Sequence, residues 1–281
     1  MPQYTVQSGN KLSTIAKKFG LTVNALMMAN AIADPNKIKA GQVLTIPEAT
    51  TDLSALPPLP PPALPSPGGP AIDRKKFRLP QSQYFAQAFP KDLIVLHFTA
   101  GSTARSAYDS WINSPLEVAT AYLVDIDGKI YETFDPTHWA YHLGIQGAAS
   151  ASHKHDKRSI GIEIANVGPL KEAPGNPSQL NWWPKDYGTK WCDKTETGKF
   201  VKSNYRTFDY YAAYASAQFA SVKLLVDHLC ATFSIPKSLP PADKRTVCDL
   251  DFFGKYSGIA SHQNFRKDKF DVGPAFDWSA L

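Results

Sequence analysis

The sequence is poor in cysteine, with three among its 281 residues. Cys192, Cys230 and Cys248 form no Cys-x-x-Cys spacing, and an odd count argues against a full disulfide framework. Cys230 lies in an apolar run with helical spacing and is expected to be a core residue. A bridge from Cys248 to Cys192 or to Cys230 stays open, because the sequence alone does not choose between them.

The sequence also has no long hydrophobic run. No stretch approaches the roughly 18 consecutive apolar residues of a membrane span. Residues 1–4 lack the basic start of a signal peptide, and no apolar segment follows them. We therefore expect a protein made in the cytoplasm, without a signal peptide and without a membrane span.

No run of basic residues is dense enough to predict nucleic-acid binding. The net charge is +5, which mainly indicates a solvated surface and is compatible with mild attraction to an anionic polymer. Hydrophobic residues make up 43% of the chain and charged residues 20%. These fractions are ordinary for a globular protein with a sizeable core, and the length suits one large and one small domain.

Proline and glycine concentrate in one segment, residues 57–70. Such a segment forms neither helix nor sheet and is expected to be a semi-rigid polyproline II spacer with a joint at Gly68-Gly69. A ligand for a proline-binding domain is the less favoured alternative. We therefore predict a first domain over residues 1–48, a linker over 49–72 and a second domain over 73–281.

The first domain is predicted to be a strand, two helices and a strand. Residues 4–6 and 42–46 are β-prone. A first helix is predicted by apolar residues on one helical face, and a second is expected to begin near Thr22, a plausible N-cap. The apolar face of the first helix consists of Leu12, Ile15, Ala16 and Phe19.

This stretch resembles the LysM module over residues 4–47. The matching pattern is Tyr4-Thr5-Val6-x-x-Gly9-Asn10-x-Leu12-x-x-Ile15-Ala16, Leu26-x-x-x-Asn30 and Ile38-x-x-Gly41-Gln42-x-Leu44-x-Ile46-Pro47. The resemblance implies binding to glycans that contain N-acetylglucosamine, such as peptidoglycan or chitin. The implied groove includes the loop 33–39, and its contacts are Gly9, Asn10, Leu12, Asn30 and Lys37. For Leu12 the alternative is a plain core residue.

The second domain is predicted to be α/β, with a mixed β-sheet flanked by helices. The predicted strands are residues 93–98, 120–126, 129–132 and 159–164, with a hairpin turn at Asp127-Gly128. Helices are predicted over residues 104–113 and 208–233, and a loop with a connecting segment over 234–257. Residues 167–207 look irregular, which indicates an insertion beside a cleft or a self-packed surface loop.

Three separated pieces of this domain predict a metal site. His97 ends the apolar run that begins at Leu93, and Glu163 interrupts another apolar run. In the tail, Lys269 and Asp271 follow His262 at short spacing. Two imidazoles and one carboxylate are a common ligand set for catalytic zinc, in which water takes the fourth position.

Together these pieces resemble the zinc N-acetylmuramoyl-L-alanine amidases of the peptidoglycan-recognition-protein fold, a family that includes phage amidase endolysins. The resemblance covers roughly residues 75–281. It implies zinc ligation by His97, His262 and Asp271. It also implies that Glu163 transfers protons as a general base and that Lys269 stabilises the oxyanion.

The resemblance implies substrate contacts as well. The segment from His138 to Gly144 is similar to the Trp-His-Ala-Gly segment of the family, so Trp139 and His142 are expected at the substrate, with site support as the alternative for His142. Tyr122 is a further expected contact. Many relatives have Ser-x-His-Tyr where this chain reads Ala119-Thr120-Ala121-Tyr122, which affects how the substrate is oriented.

The implied activity is hydrolysis of the amide between N-acetylmuramic acid and L-alanine by a zinc-activated water, with the LysM module as a glycan anchor. The alternatives are a non-catalytic peptidoglycan receptor and a secreted interbacterial toxin with a cognate immunity protein. The expected partner is peptidoglycan, and a monomer is expected. The protein would reach the cell wall by lysis, a holin or a dedicated secretion machine.

Overall fold

The computed structural model describes residues 2–19, 26, 27, 29, 30, 32, 37–46, 69–145, 152–182 and 187–281. The chain divides into two compact units, a small N-terminal one and a larger one. Most of the linker predicted over residues 49–72 lies outside the described residues, and the domain bounds stay a prediction. Within the described ranges, no helix combines the length and the apolar character that a membrane crossing needs.

The small unit contains β1 (Gln3–Thr5), α1 (Leu12–Lys18) and β2 (Val43–Thr45). The two strands are antiparallel, with Tyr4 opposite Leu44. Residues 26, 27 and 29 are helical, whereas the predicted start of this second helix near Thr22 lies outside the described residues. The core consists of the apolar positions that the sequence pattern predicts, Val6, Leu12, Ile15, Ala16, Leu26, Leu44 and Ile46.

The larger unit has strands and helices in mixed order. They are β3 (Ile72–Asp73), β4 (Leu93–Phe98), α2 (Ala104–Ile112), β5 (Tyr122–Val124), β6 (Ile130–Glu132), α3 (Lys154–Arg158), β7 (Ser159–Ile164), β8 (Pro169–Ala173), β9 (Asn176–Trp182), β10 (Thr189–Asp193), β11 (Phe200–Tyr205), β12 (Phe208–Ala212), α4 (Ser216–Phe233), α5 (Leu250–Phe253) and β13 (Gly258–Ser261).

The main sheet of this unit is mixed, as predicted, with the strand order β13-β4-β7-β5-β6-β3. The first four strands are parallel, and β5 and β6 form the predicted antiparallel hairpin. Strand β4 is buried on both faces, which explains why its sequence is a continuous apolar run. Ile94 and Leu96 belong to the core cluster that includes the apolar face of α4, and Leu93 and Val95 belong to a second cluster with Phe253 of α5.

A second sheet corrects two of the predictions. The described residues of 167–207 are not irregular, because β8 to β11 lie in this range and form, together with β12, an antiparallel sheet in the order β10-β9-β8-β12-β11. The helix predicted from residue 208 begins at Ser216, since residues 208–212 form β12. Along β12 the exposure of Phe208, Asp209 and Tyr210 alternates, which is the period of a strand. The helical spacing of the apolar residues therefore belongs to α4, and it does not extend back to residue 208.

The three cysteines are free thiols, so the structure contains neither of the bridges that the sequence left open. Cys192 is buried in the small core of the second sheet, together with Leu170 and Leu180. Cys230 is buried on α4, as expected, and Cys248 is half-buried.

Lys91 is a buried cation that ties three segments together. Its side chain is 5% exposed. The Nζ atom donates to the carbonyl oxygens of His138, Lys157 and Ser159 at 2.8, 2.7 and 3.1 Å. The Lys157 and Ser159 carbonyls belong to α3 and to the start of β7, and the His138 carbonyl belongs to the loop after β6. Lys91 therefore holds the start of β7 next to that loop.

Lys91→Met is expected to reduce the free energy of unfolding by about 3 kcal/mol, because the substitution leaves buried carbonyl groups without a donor. Chemical denaturation of both proteins measures this difference. Lys129→Met is the matched control, since the Lys129 side chain is 70% exposed in its ion pair with Asp127. We expect that control to change stability by less than about 0.5 kcal/mol. Equal stabilities of the Lys91 variant and the unaltered protein would contradict the prediction.

Candidate metal centre

Three predicted ligands come together at the carboxyl ends of β4 and β13. His97 is a buried residue of β4, one residue before the strand ends at Phe98. Ser261 ends β13 opposite Leu96, so His262 follows at the level of His97. Asp271 is brought back to this place by a backbone hydrogen bond of 2.8 Å from the Gln263 N–H to the Asp271 carbonyl. Residues far apart in the chain thus meet at one edge of the sheet.

The three ligand atoms form a small triangle. His97 Nδ1 lies 3.0 Å from His262 Nδ1. Asp271 Oδ2 lies 2.9 Å from His262 Nδ1 and 3.2 Å from His97 Nδ1. All three residues are buried. A tetrahedral zinc ion with bonds of about 2.0–2.2 Å holds its ligand atoms about 3.3–3.6 Å apart, so the triangle is slightly smaller than the one that zinc needs.

The protonation of these groups also fits a cation. Burial, followed by the charge of His262, lowers the pKa of His97 to about 4, so its imidazole is neutral near pH 7. Burial by itself would raise the pKa of Asp271, but His262 and His97 hold that pKa below its usual range, and the carboxylate is ionised. His262 Nε2 donates to the Leu143 carbonyl at 2.9 Å, which leaves Nδ1 to face the centre. Two neutral imidazoles and one carboxylate are a donor set that fits a divalent cation.

Glu163 lies beside the triangle, opposite His97 in the register of β4 and β7. Burial raises the pKa of Glu163 to about 8, the charge of Asp271 adds to the increase, and Lys269 opposes it. A carboxyl group with a pKa near neutrality can both accept and donate a proton under working conditions. The residue is therefore suited to proton transfer.

A cavity of about 390 Å³ opens onto these groups. Lys269 lines it, as do Trp111 and Phe270, for which the sequence had suggested no role. The sequence position of Phe270, between Lys269 and Asp271, could have indicated its place at the cavity. The other lining residues are His97, Phe98, Thr99, Ala100, Val118, Ala119, Thr120, His142, Glu163, His262, Asp268 and Asp271.

The second sheet contacts the segment that carries Lys269 and Asp271. Phe208 packs edge-on against Phe270, with ring centroids 5.6 Å apart. The Tyr205 hydroxyl lies 3.2 Å from Gln263 Oε1, and Arg206 donates to the Lys267 carbonyl. The second sheet therefore contacts the segment that forms one wall of the cavity. Of the two interpretations of residues 167–207, these contacts favour the insertion beside a cleft.

Of the three predicted substrate contacts, only His142 is at the cavity. Among the described residues that line the cavity, neither Tyr122 nor Trp139 is found. Tyr122 is 2% exposed in the core, and its hydroxyl lies 3.5 Å from Glu132 Oε2. Trp139 stacks on Phe85 with ring centroids 4.0 Å apart. The side chain of Tyr122 is part of the core and that of Trp139 is part of an aromatic cluster. Neither side chain faces the cavity.

In the small unit, most of the predicted glycan contacts are engaged internally. Asn10 Oδ1 accepts from the Tyr4 hydroxyl at 2.8 Å and from the backbone N–H of residue 7 at 3.1 Å. The Asn30 side chain exchanges two hydrogen bonds with the backbone of Thr45. Leu12 is 1% exposed, so it is a core residue and not a glycan contact.

Two of the predicted glycan contacts, Gly9 and Lys37, are exposed. Gly9 has a φ of 82° in the turn before α1. Residues 33–36 of the predicted groove lie outside the described residues.

Residues 87–274 match the family described as N-acetylmuramoyl-L-alanine amidase. The chain belongs to this amidase family. Residues 4–47 match the LysM domain, so the chain also carries a LysM domain. Both families are the ones that the sequence patterns indicated.

Curated relatives match the chain over short stretches. N-acetylmuramoyl-L-alanine amidase XlyA of Bacillus subtilis (strain 168) is 49% identical over 43 residues, which are 15% of this chain and 14% of the relative. XlyB of the same organism is 43% identical over 49 residues, 17% of this chain and 16% of the relative. The matched part therefore spans only a small share of either relative.

Solved structures resemble the chain over a larger part of its length. The amidase AmiD from E. coli, in complex with an anhydro-N-acetylmuramic acid peptide, has a TM-score of 0.41 and 18% identity over 70% of this chain and 58% of that chain. The catalytic domain of XlyA has a TM-score of 0.38 and 15% identity over 70% of this chain and 88% of that chain.

Proposed function

We propose that this protein is a zinc-dependent peptidoglycan hydrolase that cleaves the amide bond between N-acetylmuramic acid and the L-alanine of the stem peptide. The observation that carries the proposal is the buried triangle of His97 Nδ1, His262 Nδ1 and Asp271 Oδ2, in a chain of the amidase family. A non-catalytic receptor does not require such a complete ligand set beside a cavity. The ligand set therefore favours an enzyme.

The three ligands, Glu163 and Lys269 each have a chemical task in this reaction. His97, His262 and Asp271 would hold a zinc ion, which would supply the Lewis acidity that lowers the pKa of a water molecule and polarises the scissile carbonyl. Glu163 accepts a proton from the attacking water and passes it to the leaving nitrogen of L-alanine. Lys269 lines the same cavity and stabilises the negative charge that develops on the carbonyl oxygen.

The LysM domain contributes through effective concentration in this proposal. A module that holds the protein on glycan strands keeps the amidase domain near its substrate, and a linker increases the rate at which the tethered domain meets stem peptides. The proposed partner of both domains is therefore peptidoglycan, and the proposed place of action is the cell wall.

Metal analysis combined with muropeptide mass spectrometry tests the proposed function. We expect one zinc per chain and products in which the stem peptide begins with a free L-alanine amine while the glycan stays intact. A chelator should remove the activity and zinc should restore it. The His97→Ala, His262→Ala double variant should be inactive, whereas His228→Ala on α4 should retain activity. Digestion by the double variant at the normal rate would refute the zinc mechanism.

Lys269→Met is expected to lower kcat about 100-fold, because one electrostatic stabiliser of the oxyanion is lost. Zinc content should not change, since Lys269 is not a predicted ligand. Steady-state kinetics with a soluble muropeptide measures the effect. Lys267→Met is the matched control, because Lys267 is exposed two residues away, and its kcat should stay within about twofold. A Lys269 variant with normal kcat would exclude this role.

A further inference from the structure

The dipeptide His142-Leu143 contacts both candidate zinc histidines from behind. His142 Nδ1 lies 2.9 Å from His97 Nε2, and the Leu143 carbonyl oxygen lies 2.9 Å from His262 Nε2. Each contact uses the ring nitrogen that is not in the ligand triangle. Two adjacent residues are thus placed to control both imidazoles.

The His155 carbonyl fixes the direction of the hydrogen bonds that link Ser159, His142 and His97. The Ser159 hydroxyl lies 2.6 Å from the His155 carbonyl, and a carbonyl can only accept, so the hydroxyl proton points there. Ser159 Oγ must then accept from His142 Nε2–H, which lies 2.8 Å away. The Nδ1 atom of neutral His142 consequently carries a lone pair.

This lone pair determines which nitrogen of His97 carries the proton. His142 Nδ1 accepts the proton of His97 Nε2, so the other nitrogen of His97, Nδ1, carries the lone pair that faces the triangle. The Leu143 carbonyl imposes the same arrangement on His262, because it accepts the proton of His262 Nε2. Both imidazoles are therefore held as Nε2–H tautomers with Nδ1 ready for a metal ion.

The dipeptide is itself held in place. Asp156 Oδ1 accepts from the backbone N–H groups of His142 and Leu143, both at 3.0 Å, and Asp156 is 4% exposed. Gly161 leaves space for Thr120 and for the ring, because a methyl group there would stand 2.7 Å from Thr120 Cγ2 and 3.1 Å from His142 Nδ1. Ser159, Gly161 and Glu163 lie on one face of β7, since side chains alternate along a strand.

We propose that His142 is a positioning residue that, with Ser159 behind it and the Leu143 carbonyl beside it, fixes the tautomer and orientation of both zinc-binding histidines. The role rests on the proposed zinc site. It differs from the expected substrate contact, because it acts through His97. In zinc proteins, hydrogen bonds of this kind behind a ligand change metal affinity about 10–100-fold when they are removed.

Zinc affinity of three full-length variants tests the role. His142→Phe removes every hydrogen bond of the ring, His142→Gln can replace only the more distant nitrogen, and His142→Asn places an oxygen acceptor near the position of Nδ1. We expect the zinc Kd, measured by competition with a chelator, to rise about 10–100-fold in the Phe and Gln variants, and by less than about threefold in the Asn variant. His228→Phe on α4 is the control with unchanged Kd.

Nitrogen-15 spectra of histidine side chains provide a readout that does not depend on activity. In the zinc-loaded protein, His97, His142 and His262 should all be Nε2–H tautomers. In Ser159→Ala, His142 should lose its single tautomer while the protein remains folded. Spectra in which His97 carries its proton on Nδ1 would overturn the proposal.

The outcomes separate the two proposals. If the unaltered protein binds zinc tightly and the Phe variant binds it equally well, the positioning role is wrong and the proposed function stands. If the Asn variant loses as much affinity as the Phe variant, the ring serves only packing and the positioning role is again wrong. If the unaltered protein does not bind zinc, the proposed function fails, and the positioning role fails with it.

Discussion

Glu163→Gln is expected to stop hydrolysis and at the same time to stabilise the metal-free protein at alkaline pH. The loss of activity follows because an amide cannot transfer the proton from water to the leaving nitrogen. General acid–base groups of this kind typically contribute about 10²–10⁴-fold. Zinc affinity should be retained, since Glu163 is not one of the three ligands.

The gain in stability follows from the raised pKa. In the metal-free protein burial raises the pKa of Glu163 from 4.5 to about 8. Between these values the folded state holds one more proton than the unfolded state, so the free energy of unfolding falls as the pH rises through this window. Glutamine does not titrate and avoids the loss. At pH 8 and above the variant should be more stable by roughly 4 kcal/mol, and near pH 4.5 the difference should disappear.

Denaturation of both proteins in the presence of a chelator, at several pH values from 4.5 to 9, measures this difference. Glu172→Gln is the matched control, because Glu172 is an exposed residue of β8 and should show no stability gain that grows with pH. A Glu163 variant whose advantage is independent of pH would mean that the carboxyl group is already ionised in the folded protein at low pH.

Zinc is expected to stabilise the protein strongly, and the Asp271→Asn variant should lose most of this effect. When free zinc is about 1,000 times its Kd, binding to the folded state alone adds about 4 kcal/mol to the free energy of unfolding. The physical reason is that the buried Nδ1 atoms of His97 and His262 and the Asp271 carboxylate face one another at 2.9–3.2 Å. A cation between them is bound by all three groups in the folded state, and the unfolded chain has no such preformed site.

Asparagine at position 271 keeps the shape of the side chain and removes its negative charge. We expect its zinc affinity to fall by more than the roughly 100-fold that is typical of a residue behind a ligand. Thermal unfolding with zinc and with a chelator measures both effects, and Asp251→Asn, an exposed residue of α5, is the control. A melting temperature that does not respond to zinc in the unaltered protein would contradict the assignment of the triangle.

The sequence by itself determined the parts that depend on local patterns. The run from Leu93 to Leu96 predicted a strand buried on both faces, with His97 at its end, and Asp127-Gly128 predicted the hairpin. The fixed spacings of the LysM domain and of the His262 to Asp271 tail were sufficient for the family. Periodicity, turn residues and motif spacing act over a few residues, and for that reason they can be read without the fold.

Only the tertiary structure decided which side chains meet and which are turned away. Tyr122 lies within a motif, but the strand buries its ring and directs the hydroxyl to Glu132. Tyr211 begins a run of helically spaced residues that continues through α4, but pairing with β8 and β11 makes residues 208–212 a strand. The link from Ser159 through His142 to His97 joins residues from three separate segments. Such contacts depend on strand register and on the packing of distant segments, and no spacing in the sequence encodes them.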